Sequence, residues 1–182
     1  YQRWLEALPV PIARIVQHQQ DAANLRVVAD TAFADQGGLP ASISLAIEAE
    51  EAYEVGQSYT LSVIKAEQSK ADPYGEDVTS IPLEFRNGVK WRVLQKLYPE
   101  GANEIAAQIA AYGYDPKNEI DWPGINNIIE NRWEALVGSP LSQMREVMRS
   151  KKIDEPKTKR FLPGALYYPS AAPAYEQFGA TK

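Results

Sequence analysis

Apolar positions recur at helical spacing in the N-terminal part of the chain. A short amphipathic helix is predicted over residues 1–8, and it ends before Pro9 because proline cannot continue a helix. A second helix is predicted over about residues 12–24, with Pro11 in its first turn. Residues 25–28 fit either a continuation of this helix or the start of a strand. The apolar stripe of the second helix contains Ile12, Ile15, Val16, Gln19 and Ala23.

After the Gly-Gly-Leu-Pro break at residues 37–40, the hydrophobic period changes to two. Segments 43–50, 59–63 and 81–85 alternate apolar with polar side chains, which is typical of half-buried strands. Segment 43–50 is also a good helix former, so a helix is the alternative there. The acidic residues in and after this segment are interpreted as a solvated strand edge; they are Glu48, Glu50, Glu51 and Glu54.

The Asn-Gly dipeptide at residues 87–88 predicts a β-hairpin over residues 81–94. A three-residue loop over 86–88 places apolar residues opposite one another on one face of the hairpin. The pairs are Phe85 with Val89, Leu83 with Trp91, and Ile81 with Val93. The alternative is a helix over residues 89–97, because apolar residues also recur there at a spacing of four. That row contains Val89, Val93 and Leu97.

The chain after this hairpin is predicted to be helical. A helix over residues 102–112 ends at Gly113, since glycine readily adopts the left-handed conformation found at helix C-termini. A longer helix over residues 121–137 ends at Gly138, and a further helix begins at the capping residue Ser139. A tight turn between the last two makes them a helical hairpin. Their apolar stripes contain Ile125, Ile128, Ile129, Trp133, Leu136, Val137, Leu141, Met144, Val147 and Met148.

Together these elements predict an α+β fold. It comprises N-terminal helices, a small and mostly antiparallel sheet over about residues 41–94, a C-terminal helical hairpin, and an extended arm rich in proline and aromatic residues. The length of 182 residues suits one domain with an appended arm. We predict a single mixed domain over residues 1–152 and an extended arm over residues 153–182, where prolines interrupt every periodic pattern.

Composition excludes several kinds of chemistry. The chain has no cysteine, so disulfides, thiol catalysis and Cys-ligated zinc or iron–sulfur sites are excluded. His18 is the only histidine, and a lone histidine is interpreted as a surface or interface residue. The three carboxylates of residues 72–77 fit a solvated turn better than a calcium loop. We therefore predict no cofactor and no metal, and no apolar run is long enough for a membrane span.

Charge is distributed unevenly along the chain, although the net charge is only −5. Residues 1–85 carry 5 basic and 13 acidic side chains, whereas residues 86–182 carry 14 and 11. Chance alone could produce this split, and the alternative is two faces with different partners. Cations crowd residues 145–160, and an aromatic, Pro-rich tail follows. The candidate partner-binding residues are Arg145, Arg149, Lys151, Lys152, Lys157, Lys159, Arg160, Phe161, Tyr167, Tyr168, Tyr175 and Phe178.

From these features we expect a non-enzymatic structural or interaction subunit of a larger protein assembly, which docks through its extended C-terminal arm. Two docking sites remain as alternatives for the arm: the body of its own chain and the surface of a neighbouring chain. The first alternative function is a nucleic-acid-associated module that uses the basic cluster 145–160, with tyrosines stacking on bases. The second alternative is a carboxylate-centred, metal-dependent enzyme.

The expected partner is another protein or a second copy of this chain, with nucleic acid as the less favoured choice. We expect a soluble protein that lies inside the cell or within a macromolecular assembly. The chain begins at Tyr1 rather than Met, so we expect it to have been trimmed, processed or prepared as a fragment, and the compartment stays open.

Overall fold

A computed structural model describes residues 10–71, 83–156, 165–166 and 178–179 of the chain. Contacts between residues divide the chain between Leu25 and Arg26, and again between Glu155 and Pro156. One unit is Arg26–Glu155; the described residues of the other are 10–25, Pro156 and two dipeptides. The predicted division into a body over 1–152 and an arm over 153–182 stays a prediction.

The regular elements are predominantly helical. The helices are α1 (Val10–Ala32), α2 (Ala41–Ala71), α3 (Leu83–Leu97), α4 (Pro99–Ala111), α5 (Trp122–Trp133) and α6 (Ser139–Ser150). Short 3-10 turns cover Ala34–Gln36 and Glu119–Asp121, and a π turn covers Glu134–Gly138. Two dipeptide strands, β1 (Ala165–Leu166) and β2 (Phe178–Gly179), pair antiparallel, with Ala165 opposite Gly179.

The predicted α+β fold with a sheet over about residues 41–94 is wrong, because residues 41–71 and 83–94 are helical. In the first of these segments Ile43, Ala46 and Ile47 are almost completely buried. Their spacing of three and four residues is that of one helix face, so the helical alternative for 43–50 is the correct one. The glutamates that follow therefore lie on a helix rather than at a strand edge.

The predicted hairpin over residues 81–94 is wrong for the same reason. Its three-residue loop lies inside α3, and the amide side chain of Asn87 is fully buried there. The alternative helix over 89–97 is present, and Val89 and Val93 of its apolar row are buried. Packing of that row decides the structure, since tertiary contacts routinely override the local preference of an Asn-Gly pair for turns.

The predicted C-terminal helical hairpin is also wrong, because α5, the π turn and α6 form one continuous helical run. Gly138 has helical backbone angles, with φ −65° and ψ −46°, so no tight turn separates the helices. Pro140 explains the local widening. Proline lacks an amide hydrogen, and its ring crowds the carbonyl four residues earlier, that of Leu136. A π turn accommodates this defect without ending the helix.

Helix α1 continues through residues 25–28 and ends at Ala32, but its buried face differs from the predicted stripe. Ala13 and Gln17 are buried, whereas Ile12 is 49% exposed. The buried face of α1 therefore contains residues 13 and 17, each one position after a residue of the predicted apolar stripe. The short helix predicted over residues 1–8 lies outside the described residues.

A glycine pair reverses the chain between α1 and α2. Gly37 and Gly38 both have positive φ, which glycine adopts without strain. The N–H of Gly38 donates to the carbonyl of Phe33 at 3.0 Å, and this bond closes the helix C-terminus. Across the reversal, Nη1 of Arg26 donates to Oγ of Ser44 at 2.6 Å, and this hydrogen bond links the last turns of α1 to the first turn of α2.

Helix α2 is central to the unit Arg26–Glu155, since it packs against α3, the π turn and α6. Helix α3 packs against α4 and α5 as well. The predicted helix over residues 102–112 corresponds to α4, and Gly113 follows it with φ 75° as expected for a helix stop. The largest fully buried side chains are those of Phe33, Ile43, Ile47, Leu94, Ile105, Ile125, Met144, Met148 and Val137.

Candidate functional site

An open groove of about 490 Å³ runs between α2 and α3. Helix α2 lines it with a face that repeats every three or four residues, and α3 lines it with the row that contains Val89, Val93 and Leu97. Ala52 and Gly56 complete the apolar lining from the side of α2. The volume lies within the range of about 300–1,000 Å³ that is common for binding sites in proteins.

Gly56 sets how closely the two helices approach at the groove. A Cβ atom placed on Gly56 would lie 2.6 Å from Cγ1 of Val89, which is far inside van der Waals contact. The absence of a side chain at position 56 therefore allows α2 to lie directly against the buried valine of α3.

The two sides of the groove carry opposite charge. Helix α2 contributes Glu48 and Glu51, whereas α3 contributes Arg92 and Lys96. Burial raises the pKa of Glu51, and the neighbouring carboxylate of Glu48 raises it further, while Arg26 opposes both effects. A cation brought next to this pair of carboxylates would relieve their repulsion. The exposed Arg92 and Lys96 lie four residues apart and present a cationic edge.

Two tyrosines add polar atoms near the groove. Tyr59 lines it and is largely exposed. Tyr98 follows α3 directly, and its hydroxyl is buried without a hydrogen-bond partner among the described residues. Burial, with a smaller contribution from Glu48, raises the pKa of Tyr98 to about 12. This hydroxyl therefore stays protonated at neutral pH and can donate a hydrogen bond.

A cation–aromatic cluster joins α2, α3 and α5. The ammonium group of Lys90 lies 5.3 Å from the ring centre of Tyr53 and 5.4 Å from that of Trp133. The two rings are 5.4 Å apart, and Lys90 also pairs with a carboxylate oxygen of Glu130. Burial raises the pKa of Tyr53 to about 12, although Arg86 opposes the shift. The charged group of Lys90 on α3 therefore contacts residues of both α2 and α5, and these contacts stabilise the packing of the three helices.

Three residues of the predicted basic cluster form ion pairs in the unit Arg26–Glu155. Nε of Arg145 lies 3.2 Å from a carboxylate oxygen of Glu155, and Arg149 pairs with Glu146. Lys151 pairs with Asp35 and also donates to the carbonyl of Ala32 at 2.7 Å. Lys151 thereby satisfies a carbonyl at the C-terminus of α1, where helix carbonyls lack intrahelical partners.

The remaining predicted partner-binding residues are not brought together by the described structure. Lys152 is exposed and has a left-handed backbone, with φ 58°. Phe178 lies in β2, where its backbone pairs with Leu166. The residues outside the described ranges are Lys157, Lys159, Arg160, Phe161, Tyr167, Tyr168 and Tyr175. The acidic segment 72–77 also lies outside those ranges.

A second surface feature, which the sequence patterns did not indicate, is the loop over residues 112–122, here called the Ile120 loop. Ile120 is 83% exposed, and Tyr112 is also exposed. Tyr112 and Tyr114 stack with ring centres 5.6 Å apart. The loop joins α4 to α5, and isolated apolar residues in a polar loop give no periodic signal.

Sequence reasoning also missed the groove, although one signal for it was available. The row of Val89, Val93 and Leu97, taken as a helix, leaves the cations at 92 and 96 on the same face. Which helix covers that face could not be inferred, because pairing of helices depends on contacts distant in sequence. The close approach of α2 to α3 at Gly56 could not be inferred from the sequence either, because it also depends on contacts distant in sequence.

The described residues form neither a metal site nor a membrane span. Among the described residues, no group of three or more His, Asp or Glu side chains is placed to hold a metal ion. None of the helices in that part of the chain has both the length and the apolar character to cross a membrane. Comparison with protein-family models, curated proteins and solved structures found no match.

Proposed function

We propose that this protein is a non-enzymatic, protein-binding subunit of a larger assembly. The groove between α2 and α3 carries the proposal, because it combines an apolar lining with charged residues of opposite sign on its two sides. Grooves of this kind accept the apolar side chains of a partner segment, and the flanking charges select its orientation.

The distribution of burial within the groove supports recognition of a protein surface. Val89 and Val93 are buried at its base, while Arg92, Lys96 and Tyr59 are exposed at its margins. An apolar centre surrounded by exposed polar residues resembles the core and rim of a protein interface. Tyrosine and arginine are also the residue types that most often dominate binding energy at such interfaces.

The C-terminal arm remains part of the proposal on the basis of its sequence. Its aromatic and proline residues suit docking on a protein surface, because proline restricts the free chain and lowers the entropy lost on binding. The groove and the arm are therefore proposed as two separate binding elements, and an experiment can address each of them independently.

Nucleic-acid binding receives less support from the described residues. Arg145, Arg149 and Lys151 are engaged by carboxylates, and these ion pairs would have to be exchanged for phosphate contacts. No observation in the described structure favours a metal-dependent enzyme over a binding subunit.

The test is the native mass of the complexes that this 182-residue chain forms at native abundance. We expect a mass above the 20.3 kDa of one chain. Reversing the cationic edge of the groove with Arg92→Glu and Lys96→Glu should release the partner. The introduced glutamates then repel the acidic groups of the partner that Arg92 and Lys96 attract. Deleting residues 156–182 tests the arm in the same assay.

Arg149→Glu with Lys152→Glu provides the matched control, since it changes the net charge equally on exposed positions outside the groove. We expect this variant to keep its partner. Loss of the partner only in the variant with Arg149→Glu and Lys152→Glu would assign binding to the basic cluster instead. A protein that migrates at the mass of one chain in every native preparation would contradict the proposed function.

A further inference from the structure

We propose that the partner of the groove is a second copy of this chain, which inserts its Ile120 loop between α2 and α3. This inference rests on the proposed function and specifies its partner. Repetition of the contact would link copies head to tail, because the two surfaces that meet are different.

The Ile120 loop is preorganised for insertion. Oδ2 of Asp121 accepts a hydrogen bond from the N–H of Asp115 at 2.8 Å, and Nε1 of Trp122 donates to the carbonyl of Pro116 at 3.0 Å. Oδ1 of Asn118 accepts from the N–H of Ile120 itself at 3.2 Å. A loop held by its own hydrogen bonds loses little conformational entropy when it binds.

Exposure of apolar side chains supplies the attraction. Ile120 is the most exposed of the large apolar residues in the described part of the chain, and Tyr112 lies at the start of the same loop. Burial of an isoleucine side chain in an apolar site removes its apolar surface from water, which favours association. The lining formed by Ala52, Val89 and Val93 is such a site, and its neighbouring Tyr59 can enclose the inserted side chain.

Charge complementarity selects this loop as the occupant. Around Ile120 the loop carries three carboxylates and one cation; they are Asp115, Glu119, Asp121 and Lys117. Its acidic excess matches the edge formed by Arg92 and Lys96. Lys117 correspondingly matches Glu48 and Glu51, where a cation relieves the repulsion of two carboxylates.

The loop is separated from the Leu97 end of the groove within one chain, which favours insertion into a second copy. The loop is held at the junction of α4 and α5, where the ring of Tyr114 lies directly against Gly124. Leu97, at one end of the groove, comes just before α4, whereas the loop comes just after it. The 13 residues of α4 separate these points by about 20 Å, since an α-helix rises about 1.5 Å per residue.

One loop in one groove forms a small interface, so the association is weak. Contacts that bury less than about 1,200 Å² are typical of transient complexes. Assembly through this contact therefore depends on a high local concentration, or on the arm as a second attachment that raises the effective concentration.

The test is sedimentation equilibrium of the 182-residue chain from about 10 μM to about 1 mM, a range that covers weak dissociation constants. The average mass should rise above that of a dimer at the upper end. Ile120→Asp should weaken self-association by about tenfold or more, and Arg92→Glu with Lys96→Glu should do the same. Val27→Asp is the matched control, because Val27 is also an exposed apolar residue but lies on α1.

A mixture of the two defective variants decides whether the contact is head to tail. The Ile120→Asp chain keeps an intact groove, and the groove variant keeps an intact loop, so the 1:1 mixture should form dimers but no longer chains. No association in that mixture, or equal loss of association by Val27→Asp, would overturn the inference.

The outcome for self-association is distinguishable from the outcome for the proposed function. If the wild-type protein stays monomeric up to about 1 mM while the groove variant still loses a different native partner, the groove is a protein-binding site and only the second-copy assignment fails. If association persists in both variants and disappears on deletion of residues 156–182, the arm rather than the loop is the binding element.

Discussion

At the scale of single residues, a buried polar side chain and a left-handed backbone conformation each lower the free energy of unfolding. Asn87 is fully buried in α3, and among the described residues neither its Oδ1 nor its Nδ2 has a hydrogen-bond partner. Its position in an Asn-Gly pair predicted an exposed turn, so its burial was not foreseeable from local sequence. An unsatisfied buried amide costs about 1–3 kcal/mol.

Asn87→Leu should therefore raise the free energy of unfolding by about 1–3 kcal/mol, since leucine fills a similar volume without an unsatisfied polar group. Urea denaturation followed by circular dichroism measures the change. Asn131→Leu, at an exposed helical position, controls for the higher helix propensity of leucine. Destabilisation by Asn87→Leu would indicate that the amide is hydrogen-bonded after all.

Lys152 adopts a left-handed backbone conformation, with φ 58°, that Gly113 adopts after α4. The N–H of Ile153 donates to the carbonyl of Met148, and that of Lys152 donates to Arg149, a pattern known as the Schellman motif. Gly113 occupies the corresponding position after α4, with φ 75°. A side chain in this region is strained by about 1–2 kcal/mol.

Lys152→Gly should stabilise the protein by about 0.5–1 kcal/mol, because relief of strain exceeds the added flexibility of the unfolded chain. Thermal and urea unfolding measure this gain. Lys152→Ala keeps the Cβ atom and removes the charge, so it should leave stability nearly unchanged. A gain of equal size with alanine would attribute the effect to charge rather than to backbone strain.

At the scale of secondary-structure elements, two helical glycines have opposite roles. A Cβ atom on Gly56 would press on Val89 across the α2–α3 contact, whereas one on Gly88 would meet no atom of the described chain within 4 Å. Gly56→Ala should therefore cost about 1–3 kcal/mol through steric strain. Gly88→Ala should gain about 0.5–1 kcal/mol through helix propensity.

Denaturant unfolding of the two glycine variants side by side tests whether α2 and α3 pack as observed. The variants carry the same substitution in two helices, so intrinsic propensity is matched. Equal stabilisation by both would contradict the close contact between Gly56 and Val89. Sequence patterns predicted helix 102–112 well but could not distinguish these glycines, because the difference lies entirely in what packs against them.

The Lys90 cluster is a second contact between elements. Lys90→Met keeps the aliphatic stem and removes the charge that lies over Tyr53 and Trp133. We expect a loss of about 1–2 kcal/mol in unfolding free energy, since the ammonium group is largely withdrawn from solvent. Chemical denaturation measures the loss.

Glu130→Gln separates the two interactions of Lys90, because it removes the ion pair and leaves the rings in place. Glu130 is about half exposed, so this variant should cost less than about 1 kcal/mol. If Glu130→Gln costs as much as Lys90→Met, the aromatic rings contribute nothing measurable, and the stabilisation by Lys90 comes from its ion pair alone.

At the scale of the whole molecule, the Lys151–Asp35 ion pair connects residues that are 116 positions apart in the sequence. The hydrogen bond from Lys151 lowers the pKa of Asp35, although desolvation opposes the shift. An acid with a lower pKa in the folded state stabilises the fold when it is ionised. That contribution is present above the unfolded-state pKa of about 3.9 and is lost as the pH falls through the folded-state value.

Asp35→Asn should therefore be slightly less stable than the wild type at neutral pH. The difference should begin to shrink as the pH falls below about 3.9, and it should vanish once the pH is below the lowered pKa of the folded-state carboxyl. Urea unfolding at a series of pH values measures both curves. The carboxyl is exposed, so high salt should also reduce the difference. A constant difference across the acidic range would show that the ion pair does not contribute to stability.

Local chemistry of the chain alone determined several features of this protein. Helical stripes in residues 102–112 and 121–137, the stop at Gly113 and the exclusion of cysteine chemistry all follow from residue type and spacing. Those patterns are long or unambiguous, so competing structures cannot satisfy them. The basic cluster was also visible, but its pairing with Asp35, Glu146 and Glu155 was not.

Only the tertiary structure decided between strand and helix in α2 and α3. Short apolar segments satisfy a period of two and a spacing of three or four at once, so local pattern leaves both states open. The choice depends on which state buries its residues better against distant partners, as Gly56 allows Val89 to do. The groove and its flanking charges form only because α2 packs against α3, and the sequence of neither helix alone specifies this packing.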